Sequence, residues 1–307
     1  MSQRSLSART VRVLAPAKIN LTLHVTGRRD DGYHLLDSLV VFADVGDDLR
    51  VRIDDGEPLT VDGPEAALVP TDPTNLVLRA AGLFTDLPGA SFVLTKTLPV
   101  ASGIGGGSAD AAAAVRALLA LRSEEIGATS LSDPRMAGMA RDLLALGADI
   151  PVCLMSQGAR MSGIGEHLQP LSGLPDLHAV LVNPRLGVST PAVFRALRQR
   201  DNPPMPEVPQ GPDLDRLIGW LRAQRNDLEP PAMALLPEIG RVRAALESQA
   251  GCLLARMSGS GATCFGLFET RSDADDAARS IAGRQPDWWV RSARLGDQGQ
   301  AAQPRIA

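Results

Sequence analysis

The sequence predicts an α+β protein built in two halves. Three observations predict it. Runs of alternating apolar and polar residues near the start of the chain indicate an antiparallel sheet. The segment Ala109 to Leu121 reads as a helix that is apolar nearly all round, which places it in a core. The stretch from Asp201 to Pro212 carries five prolines and reads as a linker, with mainly helical patterns after it.

The elements follow in order. Val11, Val13 and Ala15 alternate with other residues, and after Pro16 the alternation resumes in Ile19, Leu21, Leu23 and Val25. Lys18, Asn20, Thr22 and His24 then share the opposite face. Asp31-Gly32 signals a tight turn, and two more alternating runs cover Leu36 to Phe42 and Leu49 to Ile53. Asn75 to Phe84 reads as a helix behind Pro73, and Ser91 to Thr97 as a strand. Asp133-Pro134 opens another helix, which runs to about Leu146 with Gly147 as its cap. Past the linker, helical patterns run from Leu214 to a strand at Cys252 to Ala255. A Gly/Ser turn at Ser258 to Ala262 leads into the strand Thr263 to Phe268. A helix from Asp273 to Ala282 and a strand at Trp288 to Val290 complete the pattern. Met1 to Thr10 reads as a loose arm, and the polar tail after Gly296 as disordered.

Composition narrows the function classes. The chain has 307 residues, 44% hydrophobic and 21% charged, which is the balance of a folded globular protein. No apolar run approaches the roughly 20 residues of a membrane helix. The first residues lack the apolar core of a signal peptide, so a cytoplasmic protein is expected. The net charge of −4 gives no basic surface for nucleic acid, and an anionic substrate would need local donors. Three cysteines without a Cys-x-x-Cys pair read as buried thiols. Four histidines show no metal-ligand spacing, so no protein metal site is expected.

The chemistry concentrates at Pro99 to Ser108. Gly103, Gly105, Gly106 and Gly107 lie between a predicted strand and the start of the apolar helix. Glycines let the backbone approach a ligand and present N–H groups to it, and the helix start adds its positive end, which suits phosphate. No lysine follows Gly107, so the loop is not a Gly-x-x-x-x-Gly-Lys-Ser/Thr phosphate loop. A dinucleotide fingerprint starting at Gly103 would end on Ser108 rather than glycine. Asp110 suits the helix dipole, yet it would repel a phosphate unless it points away or faces Mg²⁺.

Pro99 to Ala114 resembles the central motif of the GHMP kinases, the family of galacto-, homoserine, mevalonate and phosphomevalonate kinases. Ala15-Pro-Ala-Lys-Ile-Asn-Leu21 resembles the family's N-terminal motif, and Ser258-Gly-Ser-Gly-Ala-Thr263 its C-terminal glycine motif. Ser102, Ile104 and Ala109 stand where Gly, Leu and Ser are common. The resemblance implies a two-lobed fold. Residues 1–165 would form an N-terminal lobe like the second domain of ribosomal protein S5, holding the ATP loop and catalytic residues. Residues 166–307 would form a ferredoxin-like C-terminal α/β lobe that supports substrate and nucleotide. Thr26 to His34, Gly147-Ala-Asp-Ile-Pro151 and Asn226-Asp-Leu-Glu229 resemble one branch of the family. That branch uses ATP to phosphorylate the 2-hydroxyl of a cytidine-diphosphate-bearing polyol on the non-mevalonate route to isoprenoid precursors. The alternatives are a mevalonate or homoserine type kinase, or a nucleotide-binding sensor without turnover.

The resemblance also distributes roles. ATP would lie on Pro99, Val100, Ala101, Ser102, Gly103, Ile104, Gly105, Gly106, Gly107 and Ser108, with Mg²⁺ held mainly by phosphates and water. Asp149 would take the proton of the attacking hydroxyl, and Lys18 would hold that carboxylate ionised. Asn20, Tyr33, His34, Thr190 and Phe194 would contact the substrate. Ser258, Gly259, Ser260 and Gly261 would back the nucleotide site. From the residues alone, Lys18 reads equally as a solvated strand lysine and Asp149 equally as a plain helix cap. Tyr33, the single tyrosine, reads either as a stacking surface for a base or as a side chain covering the hairpin. Ser258 to Gly261, taken alone, reads as a hairpin turn.

Overall fold

The computed structural model describes residues 9–87, 89–122 and 138–306. The expected arm at Met1 to Thr10 lies largely outside them, as does the start of the helix expected at Pro134. Among the described residues, twelve strands join in one sheet. Its spine runs β12-β1-β3-β11-β8-β10-β9: Arg305–Ile306, Thr10–Asn20, His34–Ile53, Trp289–Gly296, Leu177–Asn183, Cys264–Phe268 and Cys252–Met257. The remaining strands, β2 (His24–Arg28), β4 (Leu59–Asp62), β5 (Ala90–Thr95), β6 (Ala159–Gly163) and β7 (His167–Pro170), branch from β3 and its neighbours.

The predicted runs at Leu36 and Leu49 are parts of the single long strand β3. Asp44, Gly46, Asp47 and Asp48 interrupt the apolar alternation between them, but the backbone stays extended and pairs with β1 on both sides of a register shift. Register shifts between Pro16 and Lys18, opposite Gly46. Pro16 has no N–H for a ladder, which suits a bulge. A Cβ on Gly46 would lie 2.3 Å from the Ala15 carbonyl oxygen, so only glycine fits this close crossing. The bulge re-aims the end of β1, the part that carries Lys18 and Asn20.

Helix α1 (Leu76–Ala81) is capped by Asn75, whose side chain accepts from the Val77 N–H at 2.8 Å. Helix α2 (Gly106–Arg122) is buried on every face from Ala109 to Leu121, as its apolar sequence predicts. It packs among β1, β3, α1 and the short helix α4 (Ile150–Met155), while α3 (Ala140–Leu146) packs on α1 and α4. In the second half, α5 (Thr190–Ala196), α7 (Glu229–Leu235), α8 (Glu238–Glu247) and α9 (Arg271–Arg284) bury Val193, Ala232, Val242 and Ile281 against Val180, Val182 and Phe268 of the sheet. Helix α6 (Leu214–Arg222) buries Leu217, Ile218 and Leu221 in a further cluster with Ile19 and Phe265. The two halves share the sheet where β11 pairs with β3, Leu295 opposite Ala43. The boundary expected after residue 165 falls in the turn between β6 and β7. No helix among the described residues is long and apolar enough to cross a membrane.

One expectation is corrected. The tail after Gly296 is ordered: Gln298 and Ala302 are buried, and β12 pairs antiparallel with β1 at Val11 and Arg12. Its composition hides this docking, because the buried residues Gln298, Gly299, Ala302 and Pro304 and two ladder residues leave little periodic signal. Ala302→Glu should therefore lower the unfolding free energy by about 2 kcal/mol or more, the cost of burying or undocking an unpaired charge. Urea unfolding checks it. A loose tail would leave stability within about 0.5 kcal/mol.

Candidate active site

The glycine loop, the end of β1, the start of α4 and the turn between β9 and β10 meet at a cleft of about 1020 Å³. Lys18 lies on β1 just past the bulge. Its backbone N–H donates to the Ile104 carbonyl at 2.9 Å, which seats the glycine loop on the strand. Its ammonium lies 2.7 Å from Asp149 Oδ1, with the lysine side chain 5% exposed and the aspartate 35%. Asp149 occupies the N-cap position of α4, but its side chain makes no capping bond. The carboxylate is instead held on Lys18 and opens to the cleft. Both residues that read ambiguously in the sequence are thus brought together.

The loop itself is shaped by close contacts. Gly103 and Gly105 have φ of +75° and +66°, the left-handed region that favours glycine. A Cβ on Gly103 would lie 2.6 Å from the Ser258 carbonyl oxygen, and one on Gly259 would lie 2.6 Å from the Gly103 carbonyl oxygen. The central and C-terminal glycine motifs therefore pack backbone on backbone. Ser258 is buried and bridges them. Its hydroxyl accepts the Asn20 N–H at 3.0 Å and donates to the Gly103 carbonyl at 3.2 Å. Ile104 is fully buried with its side chain in the core, and Gly261 likewise does not line the cleft. Pro99 to Gly103, Gly105 to Ser108, Gly259 and Ser260 do line it.

A second group of predicted residues lines the same cleft. The His34 and Phe194 rings stack with centroids 4.8 Å apart and an interplanar angle of 26°. Tyr33 is 59% exposed and lines the same cleft. Burial, and then the guanidinium groups of Arg28 and Arg200, hold the His34 imidazole below its usual pKa. Its Nε2 is buried and has no partner. Thr190 shares a hydrogen bond with Ser260 at 2.7 Å between hydroxyl oxygens. Asn20 donates to Ser38 Oγ at 2.8 Å and leaves its own Oδ1 buried and free.

Sequence reasoning missed a buried charge cluster beneath the loop. The Lys96 ammonium lies 2.5 Å from Asp47 Oδ2 and 2.7 Å from Asp110 Oδ2. Asp47 Oδ1 accepts the N–H groups of Thr97 and Leu98 at 2.6 and 2.8 Å. Burial pushes the Asp110 carboxyl up to about 7, with Lys96 opposing and Asp47 adding to the rise. Lys96 and Asp110 both line the cleft. Asp110 thus points at an ammonium, which answers the repulsion its position suggests. The signal available in sequence was only a lysine ending a strand before a glycine loop. Its partners come from residues 47 and 110, and no local pattern links them.

Comparisons with known proteins show the family. Residues 75–157 match the family described as GHMP kinases N terminal domain, and residues 207–286 match GHMP kinases C terminal. The chain belongs to the GHMP kinase family. It is 57% identical over 298 residues to the 4-diphosphocytidyl-2-C-methyl-D-erythritol kinase of Roseobacter denitrificans, covering 97% of each chain. It is 49% identical over 286 residues to the protein of that name from Mesorhizobium japonicum, covering 91% of this chain and 94% of that one. A crystal structure of 4-(cytidine 5'-diphospho)-2C-methyl-D-erythritol kinase superposes with a TM-score of 0.72 at 34% identity, over 93% of this chain and 99% of that one. The mevalonate kinase of L. major shares the fold at a TM-score of 0.63 and 16% identity, covering 93% and 96%.

The charge cluster gives a pH test. The Asp110 carboxyl stays protonated in the folded protein to higher pH than in the unfolded chain. Its contribution to stability is complete below about pH 4 and is lost as pH rises through about 7. Stability of the native protein relative to Asp110→Asn should therefore fall between pH 5 and 7, by on the order of 1 kcal/mol per pH unit. Denaturant titrations of both proteins across that range check it. A difference independent of pH would show that Asp110 is already ionised when folded.

Proposed function

We infer that this protein transfers the γ-phosphoryl group of ATP to the 2-hydroxyl of 4-(cytidine 5'-diphospho)-2-C-methyl-D-erythritol; its relatives are named as kinases of that compound. The observation that carries the reading is the Lys18–Asp149 ion pair set against the glycine loop. Phosphoryl transfer asks little covalent chemistry of a protein and much positioning and charge stabilisation.

The nucleotide phosphates lie on the N–H groups of the loop from Pro99 to Ser108 and on the positive end of α2. The Ser258–Gly261 turn supports that loop from behind. Asp149 accepts the proton of the acceptor hydroxyl as its oxygen forms a bond to the γ-phosphorus. The bond from that phosphorus to the β–γ bridging oxygen breaks, and ADP leaves. Lys18 holds the Asp149 carboxylate in place at the cleft and offsets charge on the transferring group.

The acceptor fits the aromatic group. Tyr33, His34 and Phe194 offer flat surfaces for a cytosine ring, with stacking worth roughly 1–3 kcal/mol per base. A neutral His34 with an unpartnered Nε2 suits the polar edge of that ring. Asn20, with its free Oδ1, and Thr190 face the polyol and phosphates.

Among the described residues, no group of three His, Cys, Asp or Glu side chains is placed to hold a metal ion. Asp110 Oδ1 is buried without a partner, but its Oδ2 is already on the Lys96 ammonium, which disfavours a dication there. A Mg²⁺ ion arriving with ATP fits phosphate oxygens and water as its ligands. It would draw charge from the β- and γ-oxygens.

ADP release with a panel of acceptors tests the substrate. Turnover should appear with the cytidine compound and not with mevalonate or homoserine. The reverse outcome would replace this substrate. ATP binding without turnover on any acceptor would leave a sensor. Asp149→Asn should lower kcat by at least about a thousandfold while calorimetry still records ADP binding, in line with losing the base and its ion pair.

A further inference from the structure

Arg116 lies on α2 in the interior, fully buried, and among the described residues no carboxylate pairs with it. A buried guanidinium without an anion is costly, and burial lowers its pKa to about 10. Its partners are all at the far end of α4. Nη2 lies 2.5 Å from the Cys153 carbonyl oxygen, 2.9 Å from that of Leu154 and 2.8 Å from Ser156 Oγ. These are the carbonyl groups that a helix end leaves without intrahelical donors, and their partial negative charge suits a cation.

Helix α4 needs such a grip. It has 6 residues, too few to hold its shape alone, and no side chain caps its N-terminus. The residue at that N-cap is Asp149, whose carboxylate is engaged with Lys18 instead. Ser156 ends the helix with φ +48° and donates to the Cys153 carbonyl at 2.8 Å. The Gln298 N–H donates to the Ser156 carbonyl at 2.8 Å. The C-terminal end of α4 is thus held from two sides, while its N-terminal end presents the carboxylate.

The grip also joins two parts of the site. Helix α2 starts at Gly106 of the glycine loop, and ten residues later, about 15 Å along the axis, it carries Arg116. We propose that Arg116 is a positioning residue for phosphoryl transfer: through α2 and α4 it fixes the Asp149 carboxylate relative to the phosphate-binding loop. It touches no substrate. This rests on Asp149 acting as the base.

Arg116→Lys and Arg116→Gln cannot reproduce the same three contacts. Displacement of a catalytic group by about 1 Å costs up to about a hundredfold in rate. Both variants should lose ten- to a hundredfold in kcat, counted per ADP-binding site, with KM for ATP and for the acceptor within about twofold of the native values. Ser156→Gly suits the positive φ and removes one of the three acceptors, so it should lose several-fold in kcat with the same unchanged KM. It decides the matter if the arginine variants do not fold. Native kcat per binding site, in either the folded arginine variants or Ser156→Gly, would overturn the proposal, as would a loss carried by KM. Asp149→Asn is measured alongside. Full activity there would remove the base itself. An inactive Asp149→Asn with a fully active Arg116→Lys would remove only the positioning role.

Discussion

The site depends on one close contact, that of Gly103 with the turn from Ser258 to Gly261. Gly103 and Ser258 stand 155 residues apart; Gly103 leaves room for the Ser258 and Gly261 carbonyl groups, and Gly259 for that of Gly103. Any side chain at either position would push the glycine loop off the turn. The turn is fixed in its own right. Asn226 donates to the carbonyl groups of Met257 and Gly259 at 2.8 and 2.9 Å, and Glu229 accepts the Met257 N–H at 2.7 Å. The Asn226–Glu229 motif therefore acts on the loop at second hand, by fixing what the loop rests on.

Electrostatics in the cleft are local rather than global. The chain carries net negative charge, yet the groups facing the glycine loop include two buried ammonium groups, Lys18 and Lys96. Lys18 has one carboxylate partner, which is itself open to the cleft. Lys96 has two carboxylates in the interior. The first arrangement leaves a carboxylate open to the cleft. The second ties strand β3 to α2 near its start and so steadies the loop between them.

Much of this was legible in the sequence, and the limits are physical. Alternation in β1 put Lys18 and Asn20 on one face, and the apolar run after Gly107 gave a core helix, because both signals are periodic and local. The glycine loop was legible because four glycines so closely spaced cost too much chain entropy to be filler. The pairing of Lys18 with Asp149 was not derivable from local pattern, and it came from the resemblance of whole motifs. The strands β6 to β8 were missed, as were Lys96 with its two carboxylates, the grip of Arg116 and the docked tail. Each depends on partners far along the chain. Asp47 shows the difficulty best. It looks like a break between two strands, but inside the fold it is satisfied by Lys96, Thr97 and Leu98, and β3 runs on unbroken.

The glycine loop and the His34–Phe194 stack line the same cavity. For inhibitor design this means that two adjoining subsites can be addressed by one molecule. Under the proposed function, a ligand joining an adenine-like ring to a cytosine-like ring through a short neutral tether would draw on both at once. Its second half would bind at the high effective concentration set by the first. Such a compound would not need to compete on the strength of the phosphate contacts that unrelated ATP-binding proteins also offer, and its selectivity would come from the pyrimidine end.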